Sequence, residues 1–202
     1  MTNYKPEIKD YVFNDDTPKR LEENNFYIDW PVVYIINDDD EMYIGETYHS
    51  AERMKQHLKN PERRKLKELH VIESLSFTKS ATLDIESSLI ELCKINNKRK
   101  LQNANDGIVN HHFANKDQFR KDSKFFYSLW KQLSDKDLVT GDIEKILNSD
   151  LFKYSPYKSL NAEQCTTRDY ILEDIKDALT NNVNKSIFVN GSAGTGKTIL
   201  AI

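Results

Sequence analysis

The sequence is short of the features that mark secreted, zinc-bound or membrane-spanning chains. Its two cysteines, Cys93 and Cys165, form no Cys-x-x-Cys pair and have no accompanying histidines, which argues against structural zinc and fits a reducing compartment. No segment reaches the roughly 18 consecutive apolar residues of a membrane helix, and no apolar stretch follows the first charges as in a signal peptide. We therefore expect a cytoplasmic protein without membrane association.

The sequence also lacks an overall excess of positive charge, because 29 Lys and Arg residues stand against 32 Asp and Glu residues for a formal net charge of −3, whereas affinity for phosphate backbones depends on Lys and Arg. The distribution of charge matters more than the sum. Between Arg53 and Lys67 the chain has seven bases and one acid, Glu62, which is a local net charge of +6. We define residues 53–67 as the basic window. Its charges have two interpretations, a nucleic-acid contact or an ordinary solvated helix face.

The hydrophobic pattern after Trp30 predicts a small α/β domain. A β-branched and aromatic run at 32–36, a turn-forming Asn-Asp-Asp-Asp and a second run at 42–45 predict a β-hairpin. We expect a helix from Ser50 to about residue 59, a third strand near 71–77 and a second helix over about 81–97. The fold class is therefore α/β, with a small antiparallel three-stranded sheet flanked by helices.

Four segments are expected along the chain. Residues 1–29 form an N-terminal extension, and 30–106 form the α/β domain, which closes at an Asn- and Gly-rich turn. Residues 107–154 form a helical connector in which aromatic and aliphatic side chains recur at helical spacing from Phe119 to Leu133. Residues 155–202 contain a helix over 162–180 and a buried strand at 186–190. This strand would open the first strand-loop-helix unit of a P-loop protein.

The hairpin and the helix after it carry a spaced set of chemically active side chains. Tyr34 is followed by Tyr-Ile-Gly at 43–45, by Arg53 eight residues after the glycine, and by His57 one helical turn later. This pattern resembles the GIY-YIG nucleases, and the resemblance covers about residues 30–105. The first half-motif reads Val-Val-Tyr instead of Gly-Ile-Tyr, which retains the chemically important tyrosine and changes the strand before it.

Helix geometry provides reasons that are independent of this resemblance. At 100° per residue, Arg53 and His57 are neighbours on one edge of the 50–59 helix, so both could point into one cleft. Glu86 falls inside the apolar arc of the second helix, where a carboxylate is costly unless it is paired or metal-bound. Its two interpretations are a structural ion pair, for example with Arg53, and a metal ligand. Asn103 is either a turn residue or the asparagine that shapes the family's site.

The resemblance implies a metal-dependent reaction on a phosphodiester. Glu86 would hold Mg²⁺ or Mn²⁺, and Arg53 would pair with the scissile phosphate. Tyr34, with Tyr43 beside it, would orient or deprotonate the attacking water, or His57 would share that task, because a tyrosine of pKa about 10 is a poor base at neutral pH. The expected partner is DNA, with RNA as the alternative substrate.

A second motif lies near the end of the sequence. Gly-x-x-x-x-Gly-Lys-Thr at 191–198 follows the predicted strand, and its backbone N–H groups would wrap phosphates. The segment resembles the start of a superfamily 1 helicase-like ATPase of the Schlafen-type group, and Ile202 lies four residues past the threonine. We expect no ATP hydrolysis by this chain, with ATP a cofactor only of an intact ATPase. We also expect residues 155–202 to be poorly ordered or to leave apolar surface exposed. The candidate nucleotide-binding residues are Gln164, which by default is a surface residue, and Gly191, Gly194, Gly196, Lys197 and Thr198.

The sequence thus predicts a metal-dependent endonuclease that is naturally coupled to a helicase or translocase ATPase. Two alternatives from other classes remain, a catalytically inactive nucleic-acid-binding module and an ATP-binding regulatory fragment. The adjacent pair His111 and His112 is not interpreted as a metal site, because neighbouring side chains rarely face the same way and no partner spacing exists.

Overall fold

The structure of the chain, a computed structural model, describes residues 5–23, 29–103, 113–149 and 162–190. The chain divides into two compact units, Met1–Ile146 and Leu147–Ile202, and each is described by itself. Within the described residues, none of the helices has both the length and the apolar character that a bilayer crossing requires.

A mixed sheet of five strands forms the centre of the first unit. The strands are β1 (Glu7–Val12), β2 (Val32–Asn37), β3 (Glu41–Thr47), β4 (Glu68–Glu73) and β5 (Lys100–Leu101), in the spatial order β1-β4-β2-β3-β5. All neighbours are antiparallel except β3 and β5, which are parallel. The α/β class is confirmed, but the expected three-stranded antiparallel sheet is wrong, because β1 and β5 extend it at both edges.

The predicted hairpin is present as β2 and β3. Its turn is held by Asp38, whose side-chain Oδ1 accepts hydrogen bonds from the backbone N–H groups of Asp40 at 2.9 Å and Glu41 at 2.8 Å. An aspartate that bonds the backbone two residues ahead is a common turn device. Every residue of β2 is buried, so this strand lies at the heart of the sheet.

The described residues contain six α-helices. They are α1 (Thr17–Glu22), α2 (Ser50–Lys59), α3 (Lys79–Asn96), α4 (Lys124–Asp135), α5 (Ile143–Asn148) and, in the second unit, α6 (Ala162–Asn181). The predicted helices at 50–59, 81–97 and 162–180 are confirmed to within two residues. Thr78 caps α3 by accepting the Ala81 N–H at 3.3 Å, and α3 ends at Asn97, whose φ of 48° is left-handed.

Both faces of the sheet are covered. One face forms a hydrophobic cluster in which Tyr34 and Val71 pack with Met54 and Leu58 of α2. Alternate side chains of a strand point to opposite faces, and the residues that alternate with this cluster are equally buried. The helix α3 packs on β2, β3 and β5. The candidate site residues are therefore carried by a rigid, doubly covered sheet.

The expected boundaries at residues 29 and 106 do not divide the first unit. Within the predicted N-terminal extension, β1 pairs with β4 over its whole length and α1 packs on α2. In the predicted connector, Phe119 and Phe125 pack against Phe77, which precedes α3. Phe119 lies outside α4, at the end of a short 3₁₀ turn, so the predicted aromatic stripe is only partly helical. These contacts place both segments in the same unit as the sheet.

In the second unit the predicted buried strand at 186–190 is wrong. The described residues 183–190 form no strand, and Phe188 is 86% exposed. A strand needs a neighbour for its backbone groups, and the described part of this unit contains none. Large apolar side chains are exposed here, as expected: Tyr170, Leu172, Ile175, Leu179, Val183, Ile187 and Phe188.

Candidate functional site

Tyr34 occupies the centre of the candidate site, and the register of the hairpin puts it there. Tyr34 in β2 pairs with Gly45 in β3, so the two residues face the same side of the sheet. A Cβ on Gly45 would lie 2.3 Å from the Tyr34 hydroxyl oxygen. Glycine is therefore required at this position, because the tyrosine ring fills the space of a side chain. The Tyr-Ile-Gly motif has a steric reason in this structure.

Helix α2 brings Arg53 and His57 to the Tyr34 hydroxyl. Its buried Met54 and Leu58 anchor it on the sheet, and this orientation turns the edge with Arg53 and His57 towards β2. The Arg53 Nε donates to the hydroxyl at 3.0 Å, and the His57 Nε2 lies 2.8 Å from it. The predicted adjacency of these two residues is confirmed, since both bond one oxygen atom.

Tyr43 completes an aromatic cluster around this hydroxyl. Its ring centroid lies 6.2 Å from that of Tyr34 and 4.9 Å from that of His57. Its own hydroxyl accepts a hydrogen bond of 3.4 Å from the Arg53 Nη2, and the guanidinium of Arg63 lies 3.9 Å from the centre of its ring. Tyr43 thus contacts two guanidinium groups and the imidazole.

The electrostatic setting keeps both Tyr34 and His57 in their neutral forms. Burial, together with the nearby Tyr43 hydroxyl, raises the pKa of Tyr34 well above its usual value of 10. Burial and the positive charges of Arg53 and Arg63 lower the pKa of His57 to about 3. A guanidinium only donates hydrogen bonds, so the Tyr34 hydroxyl accepts from Arg53 and has its own hydrogen to donate to His57 Nε2. In the tautomer of neutral His57 whose Nε2 carries no hydrogen, His57 is the acceptor of the tyrosine proton.

Where the two-residue pairing with β5 ends, the backbone hydrogen-bonding groups on this edge of β3 are bonded by Gln102 and Asn103. The backbone N–H of Gln102 donates to the Met42 carbonyl at 2.8 Å. The Asn103 side chain then makes both backbone bonds of Ile44, accepting from its N–H at 3.0 Å and donating to its carbonyl at 2.7 Å. Asn103 therefore holds the strand between Tyr43 and Gly45 in place, although it does not contact the Tyr34 hydroxyl.

Glu86 lies next along the same edge, on α3. Its carboxylate accepts a hydrogen bond from the backbone of Glu46, two residues beyond Ile44. Burial, the largest cause, and the negative charge of the Glu46 side chain raise the pKa of Glu86 to about 7. Glu46 itself is paired with Lys79 at the start of α3. The predicted alternative of an Arg53–Glu86 ion pair is not formed, because Arg53 bonds Tyr34, Tyr43 and Gln56.

Glu86 is the carboxylate of this site that could hold a hard divalent cation. Among the described residues, no group of three or more His, Cys, Asp or Glu side chains is arranged to hold a metal ion. Mg²⁺, however, is commonly bound through one or two carboxylates, with water and substrate oxygens as the remaining ligands. A half-buried carboxylate with a raised pKa and an adjacent second carboxylate offers such oxygen ligands. Glu86 is the residue that would hold the cation.

A groove of about 430 Å³ adjoins this centre. Arg53 and Gln56 of α2 form one wall, Lys79 forms another, and the segment Thr47–His49 lies between them. Arg53 is therefore shared by the groove and the tyrosine cluster. It has five N–H donors, and its three bonds within the protein leave donors for a ligand in this groove.

The basic window is partly neutralised by acids that the sequence pattern did not connect with it. Lys55 pairs with Glu22 at 2.7 Å, and Arg64 pairs with Asp15 at 2.8 Å. Both acids come from α1 or the turn before it, and Lys65 pairs locally with an acid three residues away. Arg53 and Arg63 point to the tyrosine cluster. The basic window is therefore a surface of both positive and negative side chains. Its two cations that contact the candidate site are Arg53 and Arg63.

Sequence reasoning missed the roles of Arg63, Gln102, Glu46 and Lys79. Arg63 was visible only as one charge of the basic window, and Gln102 only as the neighbour of Asn103. No spacing rule connects them, because their contacts join segments that are 33 to 39 residues apart. The one available signal was adjacency in sequence, since Glu46 directly follows the motif glycine.

The candidate nucleotide site is only partly covered by the structure. Gly191, Gly194, Gly196, Lys197 and Thr198 lie outside the described residues, as do His111 and His112. Gln164 belongs to α6, and the structure does not describe its side chain. The nucleotide-binding role therefore stays a prediction.

Comparisons of the chain with protein-family models, with curated proteins and with solved structures found no match.

Proposed function

We propose that the first unit is a metal-dependent endonuclease that hydrolyses phosphodiester bonds of a nucleic acid, with DNA as the first substrate to test and RNA as the alternative. One observation carries this proposal. Arg53 and His57 converge on the hydroxyl of Tyr34, so a phosphate-binding cation and a proton acceptor share one oxygen atom. Glu86 of α3, the residue suited to a divalent cation, bonds the backbone of Glu46 at the edge of β3. The charge of Glu86 contributes to the surroundings of Tyr34.

Phosphodiester hydrolysis needs a base for the attacking water and positive charge for the phosphate. Tyr34 is a poor base by itself, because its pKa is raised. Its oxygen would take a proton from water while its own proton moves to His57 Nε2, at 2.8 Å. The pair would then be neutral tyrosine and charged imidazolium, so charge and protons balance. This relay gives both residues a part in the general-base step.

A bound phosphate would help this relay. The positive charge of Arg53 lowers the pKa of His57, and a phosphate on the free N–H donors of Arg53 would offset that charge. His57 would then hold a proton more readily when substrate is present than when it is absent. A divalent cation at Glu86 would supply further positive charge for the phosphate and for the leaving oxygen.

The direct test is cleavage of single-stranded DNA, duplex DNA and RNA in Mg²⁺ or Mn²⁺. Wild-type protein should cut at least one of them, and EDTA should stop the reaction. Tyr34→Phe should lower the rate by about 10²- to 10⁴-fold, and Glu86→Gln should abolish cutting. Glu23→Gln is the matched control, because Glu23 is an exposed carboxylate that follows α1 and does not line the groove.

The outcome separates the proposal from its alternatives. Cutting by Glu86→Gln at the wild-type rate would contradict the assignment of this carboxylate. Nucleic-acid binding without cutting by the wild type would indicate the catalytically inactive binding module. Stabilisation by ATP alone, with neither cutting nor binding, would indicate the nucleotide-binding fragment, whose coupling to a helicase-like ATPase rests on residues 191–198.

A further inference from the structure

The contacts of Arg63 set it apart from the other cations of the basic window. It begins the short 3₁₀ turn Arg63–Lys65, which follows α2. Asn60 fixes this turn by accepting the backbone N–H of Arg63 at 3.1 Å, and the buried Leu66 anchors its end in the core. The backbone of Arg63 is therefore held on a rigid support, and its side chain is directed across β3.

From this support the guanidinium reaches over Tyr43 to the end of β5. Its plane lies against the Tyr43 ring at 3.9 Å, while its two terminal nitrogens donate to the side-chain and backbone oxygens of Gln102. Gln102 in turn donates to the Glu41 carboxylate at 2.6 Å, at the start of β3. We call Arg63, Tyr43 and Gln102 the arginine clasp.

The geometry of the clasp points to a role inside the protein. The third nitrogen of Arg63, Nε, is buried and has no hydrogen-bond partner among the described residues. Each terminal nitrogen donates one hydrogen bond to Gln102, so the guanidinium is held over Tyr43 by a two-point contact. Arginine is suited to this task because its flat guanidinium stacks on a ring and donates in its own plane at the same time.

We propose that Arg63 is a positioning residue of the candidate nuclease centre, which holds the Tyr43 ring in place beside His57 and Tyr34 through its tether to Gln102. This inference rests on the proposed function for its effect on cutting. The clasp itself is a property of the fold and has a separate measurement.

Double-mutant kinetics test the effect on cutting. Arg63→Met and Gln102→Ala should each lower kcat by about 10- to 100-fold, as a small displacement of a catalytic group does, with little change in KM. Because both changes break the same clasp, the double variant should be no slower than Arg63→Met alone. Arg63→Lys should recover only a minor part of the kcat that Arg63→Met loses, because an ammonium group cannot make the flat, two-point contact of a guanidinium.

Arg64→Met is the matched control, because Arg64 is the adjacent, exposed arginine and pairs with Asp15 outside the site. Its kcat should equal that of the wild type. Equal kcat for Arg63→Met and Arg64→Met would overturn the proposal. A rise in KM with unchanged kcat in Arg63→Met would also overturn it, because Arg63 would then be a substrate contact. Wild-type kcat in Arg63→Lys would overturn it too, because a positive charge alone would then be sufficient for the role of Arg63.

The ring of Tyr43 provides the second readout. Aromatic NMR of the metal-free protein should show that its ring flips at least about 10-fold faster in Arg63→Met and Gln102→Ala than in wild type. An unchanged flip rate would overturn the clasp even if the wild type cuts DNA. A changed flip rate in a wild type that cuts no nucleic acid would retain the clasp and reject the proposed function. If Arg63→Met does not fold, Gln102→Ala and Arg63→Lys provide both measurements.

Discussion

The hydroxyl of Tyr34 lies against the bare backbone of Gly45, its cross-strand partner. A Cβ on Gly45 would lie 2.3 Å from the hydroxyl oxygen and 2.4 Å from the ring carbon Cζ. Both distances are below any normal contact between such atoms, so the glycine and the position of the tyrosine depend on each other. The position of Tyr34 in turn determines where Arg53 and His57 meet.

Gly45→Ala should therefore displace Tyr34. We expect a loss of about 1–3 kcal/mol in the free energy of unfolding from overpacking, measured by urea denaturation. Cutting should fall by about 100-fold, because the relay geometry is lost. Gly141→Ala is the control: it has nothing within 4 Å and a φ of 79°, so it should cost stability through backbone strain without affecting cutting. Full activity of Gly45→Ala would contradict this account of the motif.

His57 should make stability depend on acid pH. Its pKa is lowered from 6.5 to about 3 in the folded protein, first by burial and then by Arg53 and Arg63. The unfolded chain binds the proton more tightly, so the contribution of His57 to stability is fully present above pH 6.5 and decreases progressively between pH 6.5 and 3. After allowance for partial solvent screening, we expect an effect of about 2–3 kcal/mol.

The measurement compares urea unfolding of the wild type and His57→Gln at pH 7.5 and pH 4.5. The difference between the two proteins should be larger at pH 7.5, because glutamine does not titrate. A pH-independent difference for His57→Gln would contradict a lowered pKa of His57 in the folded protein, because the folded and unfolded states would then bind the proton equally well.

Glu86 should have the opposite dependence on pH in metal-free protein. Its pKa is raised from 4.5 to about 7, so the folded state binds the proton more tightly than the unfolded chain does. The stability associated with the neutral form is present below pH 4.5 and is lost as the pH rises through 7. Relative to wild type, Glu86→Gln should thus gain about 1–2 kcal/mol between pH 4.5 and pH 8 in EDTA. Glu23→Gln, at an exposed carboxylate that follows α1, should not share this gain.

Asn103→Ala should loosen the outer edge of β3. It removes both side-chain bonds to the Ile44 backbone, at 3.0 and 2.7 Å, and we expect a loss of about 1–3 kcal/mol in stability. Hydrogen exchange of the Ile44 amide provides the specific measurement, since this amide should exchange faster in the variant. Asn181→Ala, which removes one exposed bond on α6, should leave that amide unchanged. Equal protection in both variants would contradict a positioning role for Asn103.

The parts of the structure that were predictable are those with local patterns. The hairpin follows from two apolar runs around an Asp-rich turn, and Arg53 and His57 are neighbours because four residues make about one helical turn. The same periodicity placed Glu86 on the sheet-facing side of α3. These results need only the geometry of single elements and of one tight turn.

The edges of the sheet were not predictable in this way. The strand β1 is mostly polar and pairs with β4 at a distance of some 60 residues along the chain, and β5 has only two residues. Neither has an alternation long enough to recognise as a strand. The predicted strand at 186–190 had the right composition but lacks a described neighbour, which shows that strand formation depends on pairing.

By itself, the sequence determined which chemical groups are present and how they are spaced on α2, α3 and the hairpin, because those relationships follow from the 3.6-residue helix and the alternating strand. Only the tertiary structure decided that Arg53 and His57 share one hydroxyl, that Glu86 meets the open edge of β3, and that Arg63 lies over Tyr43. These contacts join residues distant in sequence, and burial in a common core changes their charge states. Neither effect is encoded in the spacing of residues along the chain.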